Sequence, residues 1–569
     1  FLSPVSSMPG ATHRSEGALM KSRKDFRVLL VYPNLTMMLV PSLAMAKFTG
    51  ILRNEGYVVD MFDTTHYVSD LTSSPQNRVK YLQAREFDEE KDLGVVFKTD
   101  ILGDFAHKVN DFKPDLMIVS VVEDTFLQAL ALLEEVEESD IPSILGGVFV
   151  TAAPSRAISF PQVQMIGLGE GEDTIVEVAE RIRTGESCQD VKNVWFKNPD
   201  GTVVKNHMRP LVDIQKIMPD FSLFDEARFY RPMGGRIFKT MPIETYRGCP
   251  YSCTFCNSPM QVDIMRENHL GNFMRRKRMN DIRSEITSMI ETNDPEYLYI
   301  VDDSFLARPE EEIEAFAEMY AEFKIPFWFN TRPENASAKR LDIMKSVNCD
   351  RISFGLECGN EQFRREVILR NPTNEEIIED FETIAQSGIA FSVNNIIGFP
   401  DETRDMIFET IDLNRELRGY DSLTVSIFTP YHGTKLRDRA VERGYLDDNV
   451  ISTHTTSTSL LDMPQLSNTE IDGLMKTFTS YVNFPKEDWA RLRIAEQDTD
   501  EGRKIFNEFH DRYTTMNFQG TQETSMPNWD APDEYSVKPN GIGGKDDKPW
   551  GFNCGAEVKD YVAPPRESD

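Results

Sequence analysis

The sequence predicts an α/β protein built as a doubly wound parallel sheet, then a partial (β/α)6 barrel, then a helical and irregular extension. Three observations predict it. Short β-branched and apolar runs alternate with helix-length amphipathic stretches from residue 26 to 185, the alternation restarts at 241 and runs to 445, and the stretches between and after lose the pattern. At 569 residues the chain is long enough for two or three domains with cores of their own.

Residues 26–32 (Phe-Arg-Val-Leu-Leu-Val-Tyr) read as a buried parallel strand ended by Pro33-Asn34. A helix carrying Leu43, Ala46, Lys47, Gly50 and Ile51 runs to Gly56, and residues 57–62 form the second strand. After an acidic helical insertion near 80–112 come strand 115–122, helix 125–137 and strands 143–147 and 163–167, completing five strand–helix units. Sheets wound this way hold ligands off the carboxyl ends of their strands. Gly146-Gly147 and Gly167-Leu-Gly169-Glu170-Gly171 stand there.

Residues 1–25 read as a loose tail, 26–185 as the first domain, and 186–240 as a connector holding a hairpin with Asp200-Gly201 in its turn. In the second domain, 241–445, candidate strands 242–246, 296–301, 326–330, 350–355, 390–397 and 422–428 alternate with helices near 279–292, 309–323, 336–347, 373–387 and 402–417. Chemistry in such a barrel sits at the carboxyl ends of its strands. The extension, 446–569, holds helical patches at 468–482 and 486–512 and then a Pro-, Gly-, Asn- and Asp-rich tail with Trp529, Trp550 and Phe552.

With 62 basic against 93 acidic residues the formal charge is −31, which argues against nucleic acid or an anionic membrane as the main partner. No apolar run approaches the roughly 20 residues of a membrane span. Cysteines are few, seven in all, and Cys188, Cys349, Cys358 and Cys554 are scattered singly, so they form no disulfide framework and suit a reducing cytoplasm.

The other three stand together as Cys249-x3-Cys253-x2-Cys256, inside Tyr246-Arg-Gly-Cys-Pro-Tyr-Ser-Cys-Thr-Phe-Cys256. Three thiolates so close point to one soft metal centre. A structural zinc site wants four closed ligands, and no fourth Cys or His stands nearby. On a cubane of four irons, three thiolates leave one iron open to a cosubstrate.

This loop, following a short strand and with an aromatic before its last cysteine, resembles the signature of radical S-adenosylmethionine (SAM) enzymes, and the resemblance extends over most of residues 26–445. The first domain is similar to that of the cobalamin-binding branch, whose glycine turns let the corrin and its nucleotide tail approach the backbone; a plain flavodoxin-like domain is the other reading of the same turns. The family's Asp-x-His-x-x-Gly cobalt-ligand motif is missing, with Asn34–Pro41 in its place, and His66 lacks the spacing and reads as a surface or loop histidine. Met37 and Met38 are candidates to line the lower corrin face.

The resemblance implies three cofactors, a [4Fe-4S] cluster on Cys249, Cys253 and Cys256, SAM, and cobalamin, together with a small-molecule substrate and an external electron donor such as flavodoxin or ferredoxin. It implies cofactor contacts at Gly146, Gly147, Gly167, Gly169, Glu170 and Gly171 in the first domain. In the barrel it implies Asp302 and Asp303 facing the SAM amine, Arg332 at the SAM carboxylate, Glu357 as a polar contact, and Gly398 and Glu402 in a turn that meets adenine. Asp401 there replaces a customary Gly, and His432 replaces a proline in the turn after the last strand, where it would be a proton-transfer group or an idle loop residue. The implied activity is methylation of an unactivated carbon; a radical cyclase or rearrangement enzyme without methyl transfer, and a cluster- and cobalamin-binding sensor, are the alternatives. A methylthiotransferase is disfavoured, because no second cysteine triplet is present.

Overall fold

The computed structural model describes residues 20–38, 40–68, 75–453 and 458–517. Most of the expected N-terminal tail, and the tail bearing Trp529, Trp550 and Phe552, lie outside those residues.

Strands β1 (Arg27–Tyr32), β2 (Val58–Asp63), β3 (Leu116–Ser120), β4 (Ser143–Gly146) and β5 (Met165–Gly167) pair in parallel in the order β2-β1-β3-β4-β5. Both faces of β1 are covered, Val28 and Leu30 on one side, Leu29 and Val31 on the other, which is why this strand reads as a continuous apolar run. The hairpin β6 (Val194–Lys197) and β7 (Val203–Lys205) is not a free connector. It extends the same sheet antiparallel from β5, so the expected boundary at 185 falls too early.

A second seven-stranded sheet begins with β8 (Tyr230–Met233), antiparallel to β9 (Arg236–Ile243). Beyond the two-residue pair β10 (Tyr246–Arg247) and β11 (Arg275–Arg276) follow β12 (Tyr297–Ile300), β13 (Phe327–Thr331), β14 (Cys349–Glu357), β15 (Ala390–Ile397) and β16 (Ser422–Ile427). Their order, β16-β15-β14-β13-β12-β9, is parallel throughout and makes the expected partial barrel.

The barrel stays open between β8 and β16, and the first domain's insertion lies across the opening. Gln83 accepts the Val425 N–H of edge strand β16 (3.2 Å) through its side chain and the Ser422 hydroxyl (3.2 Å) through its carbonyl, Leu82 is buried in the apolar cluster that runs through both domains, and Arg85 lies against Gly235 in the β8–β9 turn. The helix Asn468–Asn483 packs on β16, and Arg415 caps its end by donating to the carbonyls of Tyr481 and Phe484, both at 2.7 Å. The second helical patch breaks into Trp489–Ala495 and Asp500–Asn517.

Candidate active site

β9 delivers the chain to the cysteine loop, and a carboxylate from the neighbouring strand end holds its first residues. Asp302 accepts the N–H groups of Thr245 (2.8 Å) and Tyr246 (3.0 Å) and the Thr245 hydroxyl, and pairs with Arg308 Nη2 at 2.6 Å. Its lone pairs are used and it is buried, so Asp302 braces the loop where the resemblance implied a SAM contact. Gly248 turns the chain into Cys249 at φ +98°, with Phe273 close where a side chain would stand. Thr254 fixes the middle of the loop, donating to the Val367 carbonyl (2.7 Å) while its own carbonyl accepts the Leu436 N–H (3.0 Å).

The three cysteines are half-buried and free. Cys253 Sγ accepts Arg332 Nη2 at 2.5 Å; that guanidinium lies 3.5 Å from the Tyr251 ring centroid and pairs with Glu334 at 3.0 Å. Cys256 Sγ accepts the Ser258 N–H at 3.5 Å. Burial pushes the Cys249 thiol up to about 11 and the Cys256 thiol up to about 12, so these sulfurs carry charge only against a cation, as metal-bound thiolates do. Asp303 accepts the Ser258 hydroxyl at 3.2 Å, and burial raises its carboxyl.

The loop faces a cavity of about 390 Å³ shared with the first domain. Tyr246, Arg247, Gly248 and Asp303 line it on the barrel side, and Gly146, Gly147, Gly167, Gly169 and Gly171 on the other. Gly147 sits at φ +123°, where an added Cβ would fall 2.0 Å from the Val121 carbonyl oxygen. A Cβ on Gly146 or Gly167 would make only ordinary contacts, at 3.7 and 3.5 Å, so at these two positions glycine keeps the cavity wall free of side chains.

Buried charges tie the two walls together. Lys47, on the helix Leu43–Asn54, pairs with Glu244; Arg247 donates to Glu244 (2.9 Å), Glu170 (2.7 Å) and Glu172 (3.1 Å); Arg275 also holds Glu170. Burial alone would raise the Glu170 carboxyl, but Arg275 and Arg247 outweigh it and hold the group below the usual range. Glu170 is therefore a clamp between the domains, not the free cofactor contact that the resemblance implied.

The profile of the radical SAM superfamily matches residues 243–413, which contain the loop, the braces and the strand ends just described. Residues 243–413 carry a radical SAM domain. Over 425 residues it is 24% identical to an uncharacterized methyltransferase of Pyrococcus horikoshii, covering 73% of this chain and 89% of the relative. Among solved structures, the radical SAM methyltransferase TsrM of Kitasatospora setae, with cobalamin and a [4Fe-4S] cluster bound, matches 86% of this chain and 100% of its own at 15% identity and a TM-score of 0.55. OxsB, a cobalamin-dependent SAM radical enzyme, matches 86% of this chain and 72% of its own at 16% identity and a TM-score of 0.57. These two likenesses carry the fold: a wound sheet followed by a radical SAM barrel.

Within the radical SAM barrel the remaining expected residues separate. Glu357, at φ +68°, is half-buried and paired with Arg370 at 2.9 Å. Glu402 is buried beneath the turn after β15, accepting the N–H groups of Gly398 (2.6 Å) and Phe399 (3.1 Å), so it shapes that turn from below. Asp401 itself takes the left-handed conformation, φ +69°, that the customary glycine would supply, and Arg439 and Tyr445 anchor its carboxylate. His432 leans on the first domain, its ring Nδ1 2.7 Å from Glu123 Oε1 and its backbone N–H on Glu123 Oε2 at 2.8 Å. His66 is half-buried with its Nε2 unpartnered among the described residues, and Met37 packs with Leu93 and Val95, while Met38 is exposed. None of these three lines the shared cavity. Cys358 is fully buried, as packing requires. Sequence reasoning missed Lys47, Glu244, Arg247 and Arg275; Arg247, two residues before the first cysteine, was the one positional hint.

Proposed function

We propose that this radical SAM enzyme is a cobalamin-dependent methyltransferase acting on an unactivated carbon of a small molecule. One observation carries the proposal: Tyr246, Arg247 and Gly248, which lead directly into Cys249, line the same cavity as the glycine cradle, from opposite walls. Once loaded, the cluster and SAM supply a hydrogen-abstracting radical, and cobalamin supplies the methyl group.

The chain's own residues have the following parts. Cys249, Cys253 and Cys256 hold the cluster, with Arg332 placing a positive charge on the Cys253 sulfur. Asp303 keeps a carboxylate at the cavity wall to meet the SAM amino group, and the Gly398 turn, shaped by Glu402, offers backbone to the adenine. Gly146, Gly147, Gly167, Gly169 and Gly171 would hold the corrin and its nucleotide tail against bare backbone. Met265, Phe273 and Val301 line the cavity between the walls, where they exclude water from the reacting carbon. Radical SAM enzymes draw on an external reductant; a flavodoxin or ferredoxin fills that place here.

The test is product analysis under anaerobic conditions with methyl-labelled SAM and candidate metabolites. The expected outcome is one 5′-deoxyadenosine and one S-adenosylhomocysteine per labelled product, with deuterium from the methylated carbon appearing in the 5′-deoxyadenosine. Conversion of the true substrate with 5′-deoxyadenosine alone and no methyl gain would replace methyl transfer with cyclisation or rearrangement.

A further inference from the structure

Barrel interiors are ordinarily filled with branched apolar side chains. This one is polar and half-buried along its inward face. Phe327 points outward, its ring against Phe316 and Tyr320 of the helix Glu310–Tyr320, so the two-residue period of β13 turns Trp328 and Asn330 inward. Tyr299 stands opposite Trp328 in the β12–β13 register and stacks on it, ring centroids 4.1 Å apart and planes 15° from parallel. Across the barrel, β8 places the Arg231 guanidinium 4.8 Å from the Trp328 ring centroid. Arg78, on the helix Pro75–Lys80 of the insertion that lies across the barrel's opening, is near enough for its charge to act on Arg231.

These donors lack acceptors. Among the described residues, neither Arg78 nor Arg231 has a carboxylate or a hydrogen-bond acceptor, whereas Arg351, facing the same interior, takes Asp421 at 2.5 Å. The Tyr299 hydroxyl oxygen accepts Asn330 Nδ2 at 2.9 Å, and its proton has no acceptor among the described residues. In a chain with 93 acidic residues, two neighbouring arginines without one are a local reversal of sign. Burial holds the Arg231 guanidinium below the usual arginine value, and the charge of the exposed Arg78 adds to the effect; a bound anion would oppose both.

We propose that Arg231, Arg78 and the Tyr299 hydroxyl form a subsite for the carboxylate or phosphate of an anionic small molecule, which enters the barrel with its reacting carbon directed toward the shared cavity. The proposal rests on the proposed function only in taking that molecule to be the substrate. Planar guanidinium groups suit either anion, since both present paired oxygens.

The full chain, prepared anaerobically with and without SAM, is titrated calorimetrically with 1-naphthoate, 1-naphthyl phosphate and the neutral 1-naphthalenemethanol; the aromatic body matches the Tyr299 and Trp328 wall. At least one anion should bind about tenfold or more tighter than the alcohol, and Arg231→Gln should remove most of that preference, with the tighter anion naming the source. Equal affinity for anion and alcohol, or a preference untouched by Arg231→Gln, overturns the subsite. Should Arg231→Gln not fold, Arg78→Gln, on an accessible helix position, decides: a reduced preference supports the subsite and an unchanged one overturns it. Iron content and 5′-deoxyadenosine release are followed on the same preparations. Selective anion binding in a protein that never cleaves SAM would leave the subsite and remove the proposed function; methylation of an uncharged substrate, indifferent to both substitutions, would do the reverse.

Discussion

The two walls of the cavity are made by opposite means. The barrel wall works through particular side chains, Tyr246, Arg247 and Asp303, beside a three-cysteine loop held by Asp302, Thr254 and Arg332. The first domain's wall works through their absence, with Gly146 and Gly167 leaving backbone bare. A loop of the first kind fails all at once when a ligand is lost, whereas a wall of the second kind fails in proportion to what is added. Between the two stands a charge network that belongs to both.

The sharpest separation should come from the cysteines. Cys249→Ala, Cys253→Ala or Cys256→Ala is expected to drop reconstituted iron from about four per chain toward background and to abolish 5′-deoxyadenosine release, with cobalamin binding little changed. SAM cleavage retained in any one of them would break the comparison. Next in size is Arg247→Met, which strands Glu170, Glu172 and Glu244 without their shared cation and should cost about 3–5 kcal/mol by urea unfolding.

The same network sets an acid limit. Lys47 and Arg247 overcome the burial that would raise Glu244 and hold it well below the ordinary value of 4.5, and Glu170 is held low too. Carboxyls depressed by folding contribute stability above their unfolded value and lose it as pH falls through their folded one. The wild-type urea midpoint should therefore fall on acidification below about pH 4.5, and less steeply in Arg247→Met.

Smaller effects test the glycine wall. Gly147→Ala should lower stability by about 1–3 kcal/mol, because its Cβ meets the Val121 carbonyl and φ is positive, whereas Gly146→Ala should leave the melting temperature alone and weaken cobalamin binding measured by visible absorption. Equal stability losses at both sites would mean that the wall is shaped by packing and not by the ligand. A pH-dependent effect is expected at Glu402, which burial pushes up to about 8. A carboxyl raised by folding contributes stability below its unfolded value and loses it as pH rises through the folded one, so stability should decline from about pH 4.5 to 8 and Glu402→Gln should flatten that decline.

Strand positions and the cysteine loop were legible because each is written in consecutive residues. β15 occupies 390–397 as its apolar run indicates, and the cysteine spacing is itself the ligand pattern. What a carboxylate at a strand end faces is not written locally. Asp302 and Asp303 are neighbours of one type, yet one is consumed by two N–H groups, a hydroxyl and Arg308 while the other keeps its place at the cavity wall. Lys47 and Glu244 are 197 positions apart, and only the docked domains reveal that they neutralise each other. The hairpin at 194–205 was recognisable as a hairpin, but its allegiance to β5 depends on an edge that the sequence does not mark.

Gln83 finds its partner on β16 342 positions later. In the order in which a ribosome releases the chain, the cover for the barrel's last strand is made long before the strand itself. A barrel expressed from residue 230 onward would reach its final strand with that edge bare, exposed to pairing with copies of itself. Fragments that separate the first domain from the second should therefore aggregate where the intact chain does not.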